Sequence, residues 1–231
     1  MQFNTKDKEL ALKVVYYGPA LSGKTTNIQK LHELLDPEAR GRLMTLDTKG
    51  DRTLFFDLLP VHFSTRSGFR IKLKLFTVPG QVIHETTRRI VLAGTDAICF
   101  IADSQRSQRS ANNEAFKGMR RNLKANALDP KRIPVVIQFN KRDLPDAQSE
   151  AELAHYEGKG PEPIFRAVAT RGDGVVETLR GCLNLLWDGL DAELDFRRKL
   201  GITKEEFMEN IFGSLAAGQV AGFESKEARQ R

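Results

Sequence analysis

The sequence predicts an α/β domain, a doubly wound and mostly parallel sheet with helices on both faces. Three observations carry that reading. Apolar runs and amphipathic stretches alternate along most of the chain, the order that gives parallel strands joined by crossover helices. A glycine-rich segment ending in Lys-Thr stands between the first such strand and the first helix, at residues 18–25. An Asn-Lys-Arg-Asp tetrapeptide at residues 140–143 closes a later apolar run, at the strand end where open α/β sheets bind ligands.

The elements follow in order. Residues 10–17 form an apolar run ended by Gly18, as a buried strand would be. A helical pattern over 25–35 stops before Pro37. Strands are expected over 54–63 and 69–78; in the second, Ile71, Leu73 and Leu75 alternate with Lys72, Lys74 and Phe76, so part of it exposes one face. Next come a helix over 85–93, a strand over 96–102, a helix over 111–126 and a strand over 133–139. A short helix over 149–156, a strand over 164–169 and a long amphipathic helix from 175 to at least 190 complete the alternation. Beyond 190, Gly201 interrupts the pattern and Thr203-Lys204-Glu205-Glu206 forms a capping box opening a helix to about residue 215. Residues 216–231 are small and polar, the composition of a frayed tail. The expected division is a domain over 1–190 and a helical extension with tail over 191–231, packed on that domain. Deleting 203–231 is expected to leave ligand binding nearly intact, because every candidate contact precedes residue 171.

The chain has 231 residues, 40% hydrophobic and 29% charged, which fits a globular protein and excludes a disordered one. Cys99 and Cys182 lie in apolar runs and read as reduced core thiols, without metal-ligand or disulfide spacing. No signal peptide, spanning apolar stretch, Met-Gly start or C-terminal cysteine box is seen, so a cytoplasmic protein without an integral membrane segment is expected. Of the net charge of +6, residues 1–190 carry +7 and residues 191–231 carry −1. That field suits anionic ligands, or weak peripheral contact with an anionic membrane. The basic residues between Lys117 and Arg132 read as a solvated helix face, and nothing beyond charge points to nucleic acid.

Gly18-Pro19-Ala20-Leu21-Ser22-Gly23-Lys24-Thr25 matches G-x-x-x-x-G-K-[ST] between a strand and a helix. In that setting successive backbone N–H groups wrap a phosphate at a positive helix end. Lys24 is expected to neutralise β- and γ-phosphates and the Thr25 hydroxyl to ligate Mg²⁺, with Thr26 in the same turn. In Asn140-Lys141-Arg142-Asp143 the spacing is that of the N-K-x-D guanine reader. The Asp143 carboxylate accepts from guanine N1–H and the N2 amine; adenine offers neither donor and would leave it unpaired. Between the two motifs lies Thr77-Val78-Pro79-Gly80-Gln81. Gly80 is placed to let a backbone N–H approach a γ-phosphate, and Gln81 to position an attacking water. Thr77 stands where this D-x-x-G element usually has aspartate, and Asp57 on the preceding strand is one possible substitute.

These segments, with Asp51-Arg52-Thr53-Leu54-Phe55-Phe56-Asp57 and Ala102-Asp103-Ser104-Gln105, resemble the bacterial MglA family of Ras-like small GTPases of gliding motility and cell polarity. The resemblance spans residues 10–190, and threonine at the Thr77 position is typical of that family. It implies that Thr53 is the switch threonine on Mg²⁺ and the γ-phosphate. It implies an arginine finger supplied in cis by Arg52, Gln81 as the water-orienting glutamine, and a Roadblock-type partner that activates hydrolysis. The guanine-backing element is Val168-Ala169-Thr170 rather than S-A-K, with the Ala169 N–H assigned to guanine O6, and the extension passes the usual family end. The function expected is a switch that hydrolyses GTP slowly. The alternatives are a GTP-binding platform with negligible turnover, opposed by Arg52 and Gln81, and a P-loop ATPase or small-molecule kinase, opposed by Asn140 and Asp143.

Overall fold

A computed structural model of the chain describes residues 1–46, 56–79 and 85–213. Eight strands and seven α-helices are found there: β1 (Gln2–Asn4), β2 (Glu9–Tyr17), α1 (Lys24–Leu34), β3 (Met44–Leu46), β4 (Phe56–Ser64), β5 (Arg70–Thr77), α2 (Glu85–Leu92) and β6 (Ala97–Asp103). They continue as α3 (Arg109–Ala125), β7 (Val135–Asn140), α4 (Glu150–Ala154), β8 (Ile164–Arg166), α5 (Val175–Leu194), α6 (Phe196–Leu200) and α7 (Lys204–Phe212). One sheet runs β3-β4-β5-β2-β6-β7-β8, with β1 pairing β2. The β2–β5, β2–β6, β6–β7 and β7–β8 ladders are parallel, and the β1–β2, β3–β4 and β4–β5 ladders are antiparallel.

Burial follows from position in this sheet. β2 and β6 are central: β6 is buried at every position, while β2 alternates from Glu9 to Lys13 and is buried throughout from Val14 to Tyr17. On β2, Leu10, Leu12, Val14 and Tyr16 enter the core under α1 and α5, while Val15 and Tyr17 enter the core under α2 and α3. β5 keeps the expected alternation, with Ile71, Leu73 and Leu75 buried and Lys72 and Lys74 exposed. Both cysteines are free and buried.

Three differences from the sequence reading have physical causes. β1 and β3 have three residues each, too few to show any period. β8 ends at Arg166 rather than continuing to 169, because the chain there turns into a loop closed by the Val168–Asp173 bridge. The third concerns the extension. The Thr203–Glu206 capping box is present, but α6 and α7 belong to the core under α1 and α5. Phe196, Leu200, Ile202, Phe207, Ile211 and Phe212 are at most 4% exposed. Trp187 of α5 meets Phe196 at 5.2 Å and Phe207 at 5.0 Å between ring centroids, and Phe207 meets Phe63 of β4 edge-on at 5.7 Å. Residues 203–213 are therefore part of this core, a contribution to stability that the expectation of nearly intact ligand binding without 203–231 does not address.

Candidate nucleotide site

The loop after β2 is shaped by contacts that only glycine permits. A Cβ on Gly18 would lie 2.2 Å from the carbonyl oxygen of Ile101 in β6, and one on Gly23 would lie 2.2 Å from Nδ2 of Asn140. Gly23 is also left-handed, at φ 98° and ψ 23°, and forms the N-cap of α1, whose first turn contains no acidic residue. The loop crown turns outward at Leu21, which has φ 58° and is 88% exposed. Lys24 is 6% exposed, and its ammonium donates to the carbonyls of Gly18 at 3.2 Å and Pro19 at 2.6 Å. A buried cation clasped by loop carbonyls, beside the N–H groups of a helix start, is the chemistry of a phosphate cradle.

Burial, followed by the neighbouring charge of Arg88, lowers the Lys24 pKa to about 7, with Asp57 acting in the opposite sense. The folded value lies below the unfolded lysine value, so folding stability gained from shedding this proton accrues as pH rises from about 7 towards 10.5. A polyphosphate favours the ammonium and reverses the shift. Nucleotide binding above pH 7 is therefore expected to take up about one proton, with affinity falling about tenfold per pH unit. Calorimetry at pH 8 in buffers of different ionisation enthalpy reads the uptake directly, and a proton-neutral association would contradict it.

Asp57 occupies the centre of a hydroxyl cluster next to the loop. Thr25 Oγ1 donates to its Oδ2 at 2.7 Å, Thr77 Oγ1 donates to the same oxygen at 3.0 Å, and Thr45 Oγ1 donates to Oδ1 at 2.9 Å. The Asp57 N–H returns a bond to Thr77 Oγ1 at 2.8 Å. Asp57 is 4% exposed and Thr77 3%. Thr77 thus carries no charge itself but orients the carboxylate of the antiparallel neighbour strand. A hydroxyl backed by a buried carboxylate suits a hard divalent cation that keeps phosphates and waters as its other ligands. Among the described residues, no group of three or more His, Cys, Asp or Glu could hold a metal unaided.

On the other side of the loop, Asn140 at the end of β7 joins two segments. Its Nδ2 donates to the Ser22 carbonyl at 2.9 Å, and its Oδ1 accepts the Ala169 N–H at 2.9 Å. The Ala169 N–H, assigned from sequence to guanine O6, thus has an internal partner here. Lys141 holds φ 65° and its ammonium pairs with Asp103 at 2.6 Å. Asp143 stands with Leu21, Gly23, Thr26, Lys141 and Thr170 around one cleft, its carboxylate 3.7 Å from Arg171. The structure therefore brings Gly18 to Thr26, Asn140, Lys141, Asp143 and Ala169 together beyond the carboxyl ends of β2, β7 and β8. Arg52, Thr53, Gly80 and Gln81 lie outside the described residues.

Two features escaped the sequence reading. Asn27 and Gln138, both fully buried, exchange amide hydrogen bonds at 2.9 Å, and Gln138 also donates to Thr178 Oγ1 at 2.8 Å. This pair ties α1 to β7 and α5 beneath the loop. Arg88 is 4% exposed on α2 and donates from Nε to the Pro79 carbonyl at 2.9 Å, fixing the segment that follows Thr77. Its only signal was a charge on the buried stripe of an amphipathic helix, beside Thr87, Val91 and Leu92.

The sequence model of the ADP-ribosylation factor family matches residues 2–184. Mutual gliding-motility protein MglA of Myxococcus xanthus (strain DK1622) is 42% identical over 183 residues, covering 79% of this chain and 94% of that protein. GTPase Der of Halorhodospira halophila is 34% identical over 107 residues, 46% of this chain and 20% of its own length. An uncharacterized protein of Methanocaldococcus jannaschii is 25% identical over 172 residues, 74% and 95% of the two chains. The family match ends before α6 and α7.

Proposed function

We propose that this chain, which belongs to the ADP-ribosylation factor family of Ras-like GTPases and resembles MglA within it, is a GTP/GDP switch that turns over slowly until a Roadblock-type partner activates it. By its likeness to the gliding-motility relative, we assign it to bacterial motility or cell polarity. The observation that carries the guanine-nucleotide reading is the side chain of Asn140, whose two hydrogen bonds hold the Ser22 carbonyl and the Ala169 N–H together. In this reading that link joins the phosphate cradle to a base cleft lined by Asp143.

In this reading Lys24 leaves the carbonyls of Gly18 and Pro19 for the β- and γ-phosphates. Thr25, with Thr53, holds Mg²⁺, whose contribution is to neutralise phosphate charge; Asp57 supplies the carboxylate that Thr77 lacks. Asp143 reads the base, and the Ala169 N–H meets guanine O6 by sharing or exchanging its bond to Asn140. Gly80 and Thr53 contact the γ-phosphate in the GTP state and are released on hydrolysis. Among the described residues no helix is long and apolar enough to cross a membrane, and a weak peripheral contact remains part of the proposal.

Displacement of labelled GDP tests the reading. GTP is expected to compete about 10³-fold or more better than ATP, because adenine leaves the Asp143 carboxylate without donors in its cleft. Equal competition by ATP would return the chain to the P-loop ATPase class.

A further inference from the structure

β2 and β5 are parallel neighbours whose ladder ends beside the phosphate loop. Its last pair is Tyr16 with Thr77, and the Val78 N–H extends it by donating to the Tyr16 carbonyl at 3.1 Å. On one strand the next residue, Tyr17, leads directly into Gly18 of the loop. On the other the chain continues through Pro79, which has no N–H with which to carry the ladder further.

A side chain takes over at that point. Arg88 of α2 is 4% exposed and donates from Nε to the Pro79 carbonyl at 2.9 Å. Its guanidinium carbon lies 5.6 Å from the centre of the Tyr17 ring, within cation–π range. That ring is itself held, because Tyr17 is fully buried and its hydroxyl accepts from Nδ2 of Asn122 on α3 at 3.3 Å. Glu85 of the same helix stands 3.8 Å from Nη1. One buried cation thus ties the ends of two neighbouring strands to α2. Its charge also reaches the loop, where after burial it is the second cause lowering the Lys24 pKa.

An apolar side chain could cover the Tyr17 ring without burying a charge, so packing alone does not call for a guanidinium here. The Pro79 carbonyl does. It shares one planar peptide unit with the N–H that follows it, and a bond that fixes the carbonyl fixes that plane.

We propose that Arg88 is a positioning residue for the third phosphate: by holding Pro79 beside Tyr17 it presets the peptide plane that carries the Gly80 N–H, and so favours GTP over GDP. The inference rests on the guanine-nucleotide reading above and names the residue that tunes discrimination between the two nucleotides. The test compares affinities for GDP and for GTPγS, a slowly hydrolysed analogue, in the full-length chain with Mg²⁺. Arg88→Met keeps an apolar cover on Tyr17 and removes the donor. It is expected to weaken GTPγS about tenfold and to leave GDP within about threefold. Arg88→Lys restores a cation and a donor, and is expected to recover part of the lost GTPγS affinity. Equal weakening of both nucleotides by Arg88→Met would mark a purely structural residue and overturn the proposal, as would no recovery in Arg88→Lys. If neither variant folds, side-chain hydrogen exchange in the wild-type chain decides. The Arg88 Nε–H is expected to exchange about 100-fold or more slowly than that of exposed Arg109, and equal rates would overturn the proposal. Failure of the wild-type chain to bind GDP would overturn the reading of the whole site, and this inference with it.

Discussion

With a Roadblock-type partner in excess, Arg52→Ala is expected to bind GTP near normally and to lose the partner's stimulation of hydrolysis, on the order of 10³-fold in rate. The reasoning starts from the transition state of phosphoryl transfer, which is loose and moves negative charge onto the leaving and transferring oxygens. A guanidinium placed there stabilises that state more than the ground state, which is what raises a rate. A factor of 10³ is about 4 kcal/mol of barrier. Arg52 adjoins Thr53 in the sequence, so in the proposed mechanism it is supplied in cis, without a side chain from the partner. On the proposed mechanism the partner holds this segment, and a low unaided rate is expected. Gln81→Ala is expected to behave in the same way. Single-turnover hydrolysis reads both variants, and full stimulation of Arg52→Ala would move the catalytic residue into the partner.

The other large effect concerns the extension. A chain ending at residue 202 is expected to lose cooperative folding, whereas one ending at residue 213 is expected to melt like the full chain. α7 contributes Phe207, Met208, Ile211 and Phe212, none more than 8% exposed. At roughly 1.5–3 kcal/mol for each buried side chain, their removal costs about 6–12 kcal/mol as an upper estimate. A domain of this kind has only about 5–15 kcal/mol in total. Trp187, 2% exposed and in tilted ring contact with Phe207, would be laid open, and its fluorescence reports the loss. A thermal transition of the 202-residue chain matching the full chain would show α7 to be dispensable.

Legibility from sequence followed locality. The Gly18–Thr25 and Asn140–Asp143 motifs are contiguous and stand at strand ends that their own apolar runs announce, so the fold class and the position of both motifs in it could be read. Asp57 was reached only as one option for the aspartate missing at Thr77. What places it is a set of hydroxyl bonds from Thr25 at the start of α1 and from Thr45 and Thr77, which the β3-β4-β5 ladder brings to either side of it. The Asn27–Gln138 pair spans 111 positions, and no local pattern announces a buried amide couple. How the extension packs was illegible for the same reason. Its capping box is local and was legible, whereas the packing of Phe196 and Phe207 on Trp187 is tertiary. α6 itself is five residues between two left-handed positions, Asp195 and Gly201, and gives no periodic signal.

The central claim is that the cleft beside Asn140 reads guanine through Asp143, and base exchange tests it most directly. Guanine offers the N1–H and an N2 amine, both donors to a carboxylate. Xanthine keeps the N1–H and carries an oxygen in place of the amine, which suits an amide that accepts with Oδ1 and donates with Nδ2. Asp143→Asn is therefore expected to weaken GTP by roughly 10–100-fold and to improve XTP relative to GTP. The measurement is the ratio of GTP to XTP affinities in the wild-type and variant proteins, both loaded with Mg²⁺ at one pH. An inverted or strongly reduced ratio in the variant is the predicted result, and a ratio unchanged by the substitution would falsify Asp143 as the guanine reader.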